Sequence, residues 1–203
     1  ENITTDILSL LLKKSIFPGI SSKELVEQVE AKKKCKDKLS TWYNTKNIYY
    51  PNKLNIEQTS SERTAIYKAS ILTKKTLLAL TGGFGVDSYF FSKKMTQVVH
   101  CEINENLSKI AAHNFKILGA NNIKNSTENG LNYVVKTDLF FDWIYIDPSR
   151  RNDAKGKVFF LEDCLPNVPE NLELFLNKSD SILIKTSPLL DFSAGIKSLK
   201  FVK

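Results

Sequence analysis

Histidine, cysteine and long apolar runs are scarce in this 203-residue chain, and each scarcity removes a class of function. Two histidines, His100 and His113, are too few for a multi-histidine metal centre or a histidine relay, so no metal is expected. Three cysteines, Cys35, Cys101 and Cys164, are odd in number, far apart and without a CxxC pair. Neither a disulfide framework nor a zinc knuckle is expected, and a reducing, cytoplasmic compartment fits. Eight glycines and six prolines exclude a collagenous or low-complexity chain. The apolar stretch from Ile7 to Leu12 is broken by Ser9 and followed by Lys13 and Lys14. It falls well short of the roughly 18 residues that a membrane helix needs, so no membrane partner is expected. The chain opens at Glu1 without a signal-peptide pattern, which leads to the expectation of a fragment.

What is present is an ordinary globular composition, 42% hydrophobic and 25% charged, with length for one main core. The net charge of +7 is uneven: residues 1–75 hold 14 basic and 8 acidic side chains, residues 76–203 hold 15 and 14. The densest run, Lys32, Lys33, Lys34, Lys36 and Lys38, precedes Trp42, Tyr43, Tyr49 and Tyr50. Lysines pair with phosphates and bases stack on rings, so RNA is the expected partner. A solvated helix face beside core aromatics explains the same pattern equally well. Oligomeric state is not legible.

The pattern divides the chain into a helical, basic segment (1–75) and an α/β core (76–203). In the first, helices are expected over 6–16, over about 22–39 with Ser21 and Glu24 as a capping box, and from a second box, Thr59 with Glu62, to Lys74-Lys75. Residues 40–55 read as a loop or extended arm. In the second, short buried strands at Thr76–Thr81, Gln97–Glu102, Ile123–Asn125, Trp143–Asp147 and Ser181–Thr186 alternate with helices near Val86–Lys94, Asn106–Leu118 and Pro169–Leu176. That alternation implies a parallel, doubly wound, Rossmann-like sheet. The chain stops soon after the fifth strand, so the C-terminal part of the sheet is expected to be truncated.

Strand one runs into Leu80-Thr81-Gly82-Gly83-Phe84-Gly85-Val86-Asp87-Ser88, a glycine-rich turn into a helix that lets backbone approach a ligand. Strand two ends in Glu102, seventeen positions after Gly85, where a carboxylate accepts both hydroxyl protons of an adenosine ribose. A dinucleotide fingerprint would carry a third glycine at Ser88 and nothing bulky at Phe84, so a nucleoside cofactor fits better. Strand four delivers Asp147-Pro148-Ser149-Arg150-Arg151 to the carboxyl edge, with Pro148 stiffening the turn and Asp147 set to hold a polar acceptor. Lys185, on the same edge, either contacts phosphate or snorkels.

Four stretches together carry a resemblance: Glu57-Gln58-Thr59-Ser60-Ser61-Glu62 with Ala65 and Lys68; Leu80 to Asp87; Asp147 to Arg151; and Leu161-Glu162-Asp163-Cys164 with Lys185-Thr186-Ser187-Pro188-Leu189-Leu190-Asp191. On these the chain resembles class I S-adenosylmethionine-dependent methyltransferases, specifically the bacterial family with a C-terminal THUMP-like domain, a domain that the resemblance implies is missing from this chain. The resemblance implies S-adenosylmethionine as cofactor and an RNA substrate, with a ribosomal or transfer RNA base as the target. Asp147 and Pro148 are the expected catalytic residues. Thr81, Gly82, Gly83, Gly85, Asp87, Glu102, Ser126, Gln58 and Ser60 are expected at the cofactor, and Arg150, Arg151 and Lys185 at the substrate.

Three positions depart from the usual pattern. Ala79-Leu80 replaces the acidic residue that ordinarily holds the methionine amino group, a role open to Asp87 or Asp147. Asn125, Ser126 and Thr127 stand where Asp is common, and Ser149 and Arg150 where a ring would stack on a flipped base. A cysteine nucleophile at Cys101 or Cys164 lacks a neighbouring base, and His113 reads as packing. Two other readings stay open: a noncatalytic module that binds nucleic acid or cofactor, and a nicotinamide-dependent oxidoreductase.

Overall fold

Alternation of apolar side chains along short strands builds the centre of the molecule. The computed structural model describes residues 7, 17–73, 75–152, 156–157, 160–187 and 192–199. The helix expected over 6–16 and the Pro188–Asp191 stretch lie outside the described residues, Ile7 aside. Strands β1 (Thr76–Ala79), β2 (Gln97–Cys101), β3 (Ile123–Ser126), β4 (Phe141–Ile146) and β7 (Ser179–Ile184) form one parallel sheet in the order β3-β2-β1-β4-β7. All five expected strands are present, within two residues of their expected bounds. Strands β5 (Arg151–Asn152) and β6 (Gly156–Lys157) make a separate small antiparallel pair that the sequence did not announce.

The period of two sorts the core. Leu77, Ala79, Val98 and Tyr145 join one buried cluster with Ala69, Leu72 and Phe91. Leu78, Leu80, Val99, Cys101, Ile144 and Ile146 point the other way, into a cluster with Tyr133, Val168 and Phe175. Helices α5 (Val86–Ser92), α6 (Glu105–Ile117), α7 (Gly130–Lys136) and α8 (Val168–Leu176) connect the strands, and α9 (Phe192–Ser198) follows β7. Parallel strands buried on both faces need this helical cover.

The N-terminal helices are α1 (Ser22–Lys38), α2 (Ser40–Asn44), α3 (Lys53–Gln58) and α4 (Glu62–Ile71). Ser21 caps α1 as expected, accepting from the Glu24 amide at 3.1 Å. Residues 40–55 are not all loop, because α2 and the start of α3 fall within them. The second capping box is displaced: Ser61, not Thr59, caps α4, and Thr59 ends α3. Glu62 instead accepts from the Thr41 amide and hydroxyl and from the Ser40 hydroxyl, across 21 and 22 residues. The arm between α2 and α3 is clamped by two amides, Gln28 on both backbone groups of Tyr50 and Asn114 on both of Tyr49. Each pairing copies a sheet's two-bond exchange and satisfies backbone groups that would otherwise be stranded.

Candidate functional site

The strand order reverses between β1 and β4, so their carboxyl ends diverge into the crevice where open α/β sheets bind ligands. The loop after β1 supplies one wall. Gly83 has φ of +60°, and no atom of the described residues lies within 4 Å of where a Cβ would stand. Its N–H donates to Glu102 Oε2 at 2.7 Å, while Oε1 takes the Asn104 N–H at 2.7 Å. Glu102 is therefore held at the end of β2 with lone pairs to spare.

The other two glycines serve protein contacts. A Cβ on Gly82 would meet the His100 ring at 2.3 Å and Cys101 O at 2.7 Å, and one on Gly85 would meet Phe115 Cζ at 2.5 Å. Gly83 thus leaves open space beside the loop, while Gly82 and Gly85 make room for β2 and α6. Thr81 ties the loop to the opposite wall, its Oγ1 accepting from the Asp147 N–H at 2.7 Å.

Asp147 follows β4, and both of its oxygens lie 3.0 Å from Lys185 Nζ. Burial pushes the Asp147 carboxyl above its ordinary value, against the lowering pull of Lys185 and Lys68. Pro148 is buried, and Ser149 forms a two-bond bridge with Leu165. Arg150 lies close enough to Cys164 for its charge to act on that thiol, whereas the Arg151 side chain lies outside the described residues.

Beneath the crevice sits a cluster whose members the sequence did not join. Lys68, on α4, donates to Asp87 Oδ2 at 2.6 Å, to Ser60 Oγ at 2.8 Å and to Tyr145 Oη at 2.8 Å. The same Asp87 oxygen accepts from Ser60 at 3.0 Å and from Tyr145 at 2.7 Å. Asp87 Oδ1 is buried and, among the described residues, without a hydrogen-bond partner. Burial holds Lys68 below the ordinary lysine value and pushes Tyr145 far above that of a phenol. Lys68 and Tyr145 went unassigned from sequence because the contacts that define them span up to 77 residues.

The remaining candidates separate. Ser126 Oγ donates to Glu128 at 2.8 Å, and its carbonyl accepts the Glu102 N–H at 3.1 Å. Asn125 and Thr127 both turn to Ser108 on α6. Gln58 ends α3 with its side chain exposed. All three cysteines are free and buried, and burial pushes Cys35 and Cys101 up to about 12, so neither of these two is a thiolate nucleophile at neutral pH. His113 Nε2 lies 2.8 Å from Asn47 O and pins the arm. Buried His100, with Ser88 Oγ 2.8 Å from Nδ1, is held down to about 4 by desolvation.

Of the four aromatics after the basic run, two follow the core-packing reading. Trp42 and Tyr50 are core residues, Trp42 against Phe84, Tyr89 and Phe90, and offer no ring to a base. Lys34 pairs with Glu57, and Lys38 donates to the carbonyls of Ile56 and Glu57. No helix among the described residues is long and apolar enough to cross a membrane, and none of them form a group of three or more metal-ligating side chains.

No protein-family model matches the chain, and no curated protein does. Solved structures do. A provisionally assigned methyltransferase from Porphyromonas gingivalis W83 aligns over 97% of this chain with a TM-score of 0.86 and 27% identity. The chain spans about half, 49%, of that protein's length. The precorrin 8W decarboxylase of Methanobacterium thermoautotrophicum aligns over 71% of this chain and 74% of its own, with a TM-score of 0.52 and 14% identity, a likeness of fold alone. A Streptococcus thermophilus rRNA methylase is more distant, with a TM-score of 0.43, 15% identity, and 60% and 69% covered. Sheet order, glycine turn and the likeness to the Porphyromonas gingivalis protein agree that the chain has the Rossmann-like fold of class I methyltransferases.

Proposed function

We propose that this chain is the catalytic core of an S-adenosylmethionine-dependent methyltransferase that acts on RNA in the cytoplasm. The observation that carries the reading is Glu102, fixed on the Gly83 N–H at the mouth of the switch-point crevice with acceptor capacity left for two ribose hydroxyls. The residues fit the cofactor in two further ways. Gly83 leaves open space above the loop, and Asp87 Oδ1, buried and unpartnered, is an acceptor suited to the methionine ammonium in place of the missing acid at Ala79. When bound, the cofactor supplies an electrophilic methyl group on a sulfonium. The protein's part is alignment and exclusion of water: Glu102 and Gly83 hold the nucleoside, and Asp147 orients the acceptor.

RNA is supported by the basic excess of residues 1–75, which we read as a substrate-facing helical segment on the core of residues 76–203. The finer kinship, with bacterial enzymes whose C-terminal THUMP-like domain selects the RNA, rests on Gln58 to Glu62 and Asp147 to Arg151. Calorimetric titration with S-adenosylhomocysteine and with NAD tests the reading. Binding of the first, weakened at least tenfold in Glu102→Ala as expected for lost charged hydrogen bonds, supports it. Binding of NAD alone refutes it, and cofactor binding without methyl transfer to any RNA favours a noncatalytic module.

A further inference from the structure

We infer that the methyl acceptor is a hydroxyl oxygen of the kind a ribose carries at its 2′ position, and not an exocyclic amine of a base, because Asp147 and Lys185 together present one acceptor and one donor to it. This inference rests on the methyltransferase reading and sharpens it.

The ion pair sits at the carboxyl edge with both partners accessible, Lys185 at 34% and Asp147 at 28% side-chain exposure. The Lys185 ammonium spends its contacts on the two Asp147 oxygens at 3.0 Å, and with three donors it has hydrogen-bonding capacity left. Each Asp147 oxygen likewise has a lone pair left. A hydroxyl both donates and accepts, so it completes the pair by giving its proton to Asp147 and taking a bond from Lys185. An exocyclic amine has its lone pair drawn into the base and only donates, which leaves the ammonium unmatched. Charge points the same way. Attack by a neutral amine builds positive charge on nitrogen beside Lys185, with Lys68 near enough to act on Asp147 as well. Attack by a hydroxyl builds negative charge on oxygen as its proton leaves, and an adjacent ammonium stabilises it.

Among the described residues, the position directly after Pro148 carries no ring for a flipped base. A flipped base is gripped between aromatic or apolar side chains. The residue after Pro148 is Ser149, whose backbone is committed to Leu165, and Trp42 and Tyr50 are sealed in the core. The backbone of Asp147 is itself fixed by Thr81, and two residues earlier Tyr145 is anchored on Lys68 and Asp87. The carboxylate is thus presented from a rigid strand end. The step balances without a further reactant: the acceptor oxygen gains the methyl carbon, the carbon–sulfur bond breaks with its pair staying on sulfur, and the hydroxyl proton passes to Asp147.

The test compares binding of a random-sequence 15-nucleotide RNA pool with that of its all-2′-deoxy and all-2′-O-methyl counterparts, using the whole chain with S-adenosylhomocysteine present. Wild type is expected to favour the ribose pool by about tenfold over both counterparts, the size of one net hydrogen bond gained with the free hydroxyl. Lys185→Gln and Asp147→Asn are expected to erase that preference while leaving deoxy binding unchanged, with circular dichroism confirming that both fold. Equal weakening of ribose and deoxy binding in Lys185→Gln makes Lys185 a phosphate contact and overturns the inference. So does a wild type without ribose preference, including one that binds neither pool. Loss of S-adenosylhomocysteine binding by wild type is a separate result and refutes the methyltransferase reading instead. A second readout is alkaline hydrolysis of RNA labelled from tritiated S-adenosylmethionine: label in alkali-resistant dinucleotides supports the inference, and label in mononucleotides overturns it.

Discussion

Two lysine–aspartate pairs meet the end of β4, one through Tyr145 and one through Asp147, and they differ in almost every physical respect. Lys68 and Asp87 meet at 2.6 Å with side-chain exposures of 6% and 12%, and three neighbours share one carboxylate oxygen. Lys185 and Asp147 meet at 3.0 Å, exposed by 34% and 28%, and among the described residues Lys185 bonds to Asp147 alone. A buried, hydrogen-bonded pair fixes geometry, because separating it strands a charge. An open pair at the edge of a crevice costs less to disturb and keeps donors and acceptors for a ligand. The first is a pin between α4, α5 and β4; the second is the working edge.

The largest expected effect breaks the pin. Lys68→Met leaves Asp87 buried and uncompensated, and urea unfolding should show a loss of about 3–5 kcal/mol, the range for removing one partner of a buried pair. Adding Asp87→Asn should restore a large part of it. If Lys68→Met costs no more than an exposed pair would, the distinction between the two sites fails.

Asp147→Asn is the counterpart at the open pair. Because burial raises the Asp147 pKa, ionised Asp147 costs folding stability, and its contribution falls as pH rises through the folded value. Neutralising it should change stability by at most about 1 kcal/mol at neutral pH. Methyl transfer should fall by about a hundredfold or more, within the usual range for a proton acceptor. Activity tracking stability in this variant would assign Asp147 a structural role.

A pH profile sharpens the comparison further. The acid limb should lie above the ordinary carboxylate range, with activity lost as pH falls and Asp147 takes a proton. Lys185 is the strongest lowering influence on that carboxyl, Lys68 the next, and Asp87 opposes both. In Lys185→Gln the limb should therefore move to still higher pH. A limb that stays in place would exclude Asp147 as the titrating group.

The sheet was legible in sequence because each strand is a short apolar run bounded by turn residues, and buried parallel strands read that way. Glu102 and Asp147 were legible for the same reason, since strand ends in such a sheet converge on one edge. The capping of α4 was not. Thr59-x-x-Glu62 and Ser61-x-x-Thr64 offer two registers, and the choice went to Ser61 once Glu62 was drawn to Ser40 and Thr41. Nor could local pattern join Lys68 to Tyr145, or tell that Gly82 and Gly85 answer to His100 and Phe115. Those meanings belong to side chains that meet only after the chain folds.

The smallest expected effect lies on the basic helix, where a third lysine–carboxylate pair, Lys34 with Glu57, is exposed by 36% and 50%. An exposed pair of two flexible side chains gains little over water, so Lys34→Ala should leave the unfolding midpoint unchanged within error. Lys36 is exposed on the same helix and makes no ion pair among the described residues. If α1 tracks an RNA backbone, Lys36→Ala should reduce the slope of log K against log salt by about 0.7, the value for one phosphate contact on a single strand. Lys34, partly neutralised by Glu57, should reduce it less. Equal slopes for wild type and both variants would remove this face from the interface and leave the crevice edge as the place where RNA is recognised.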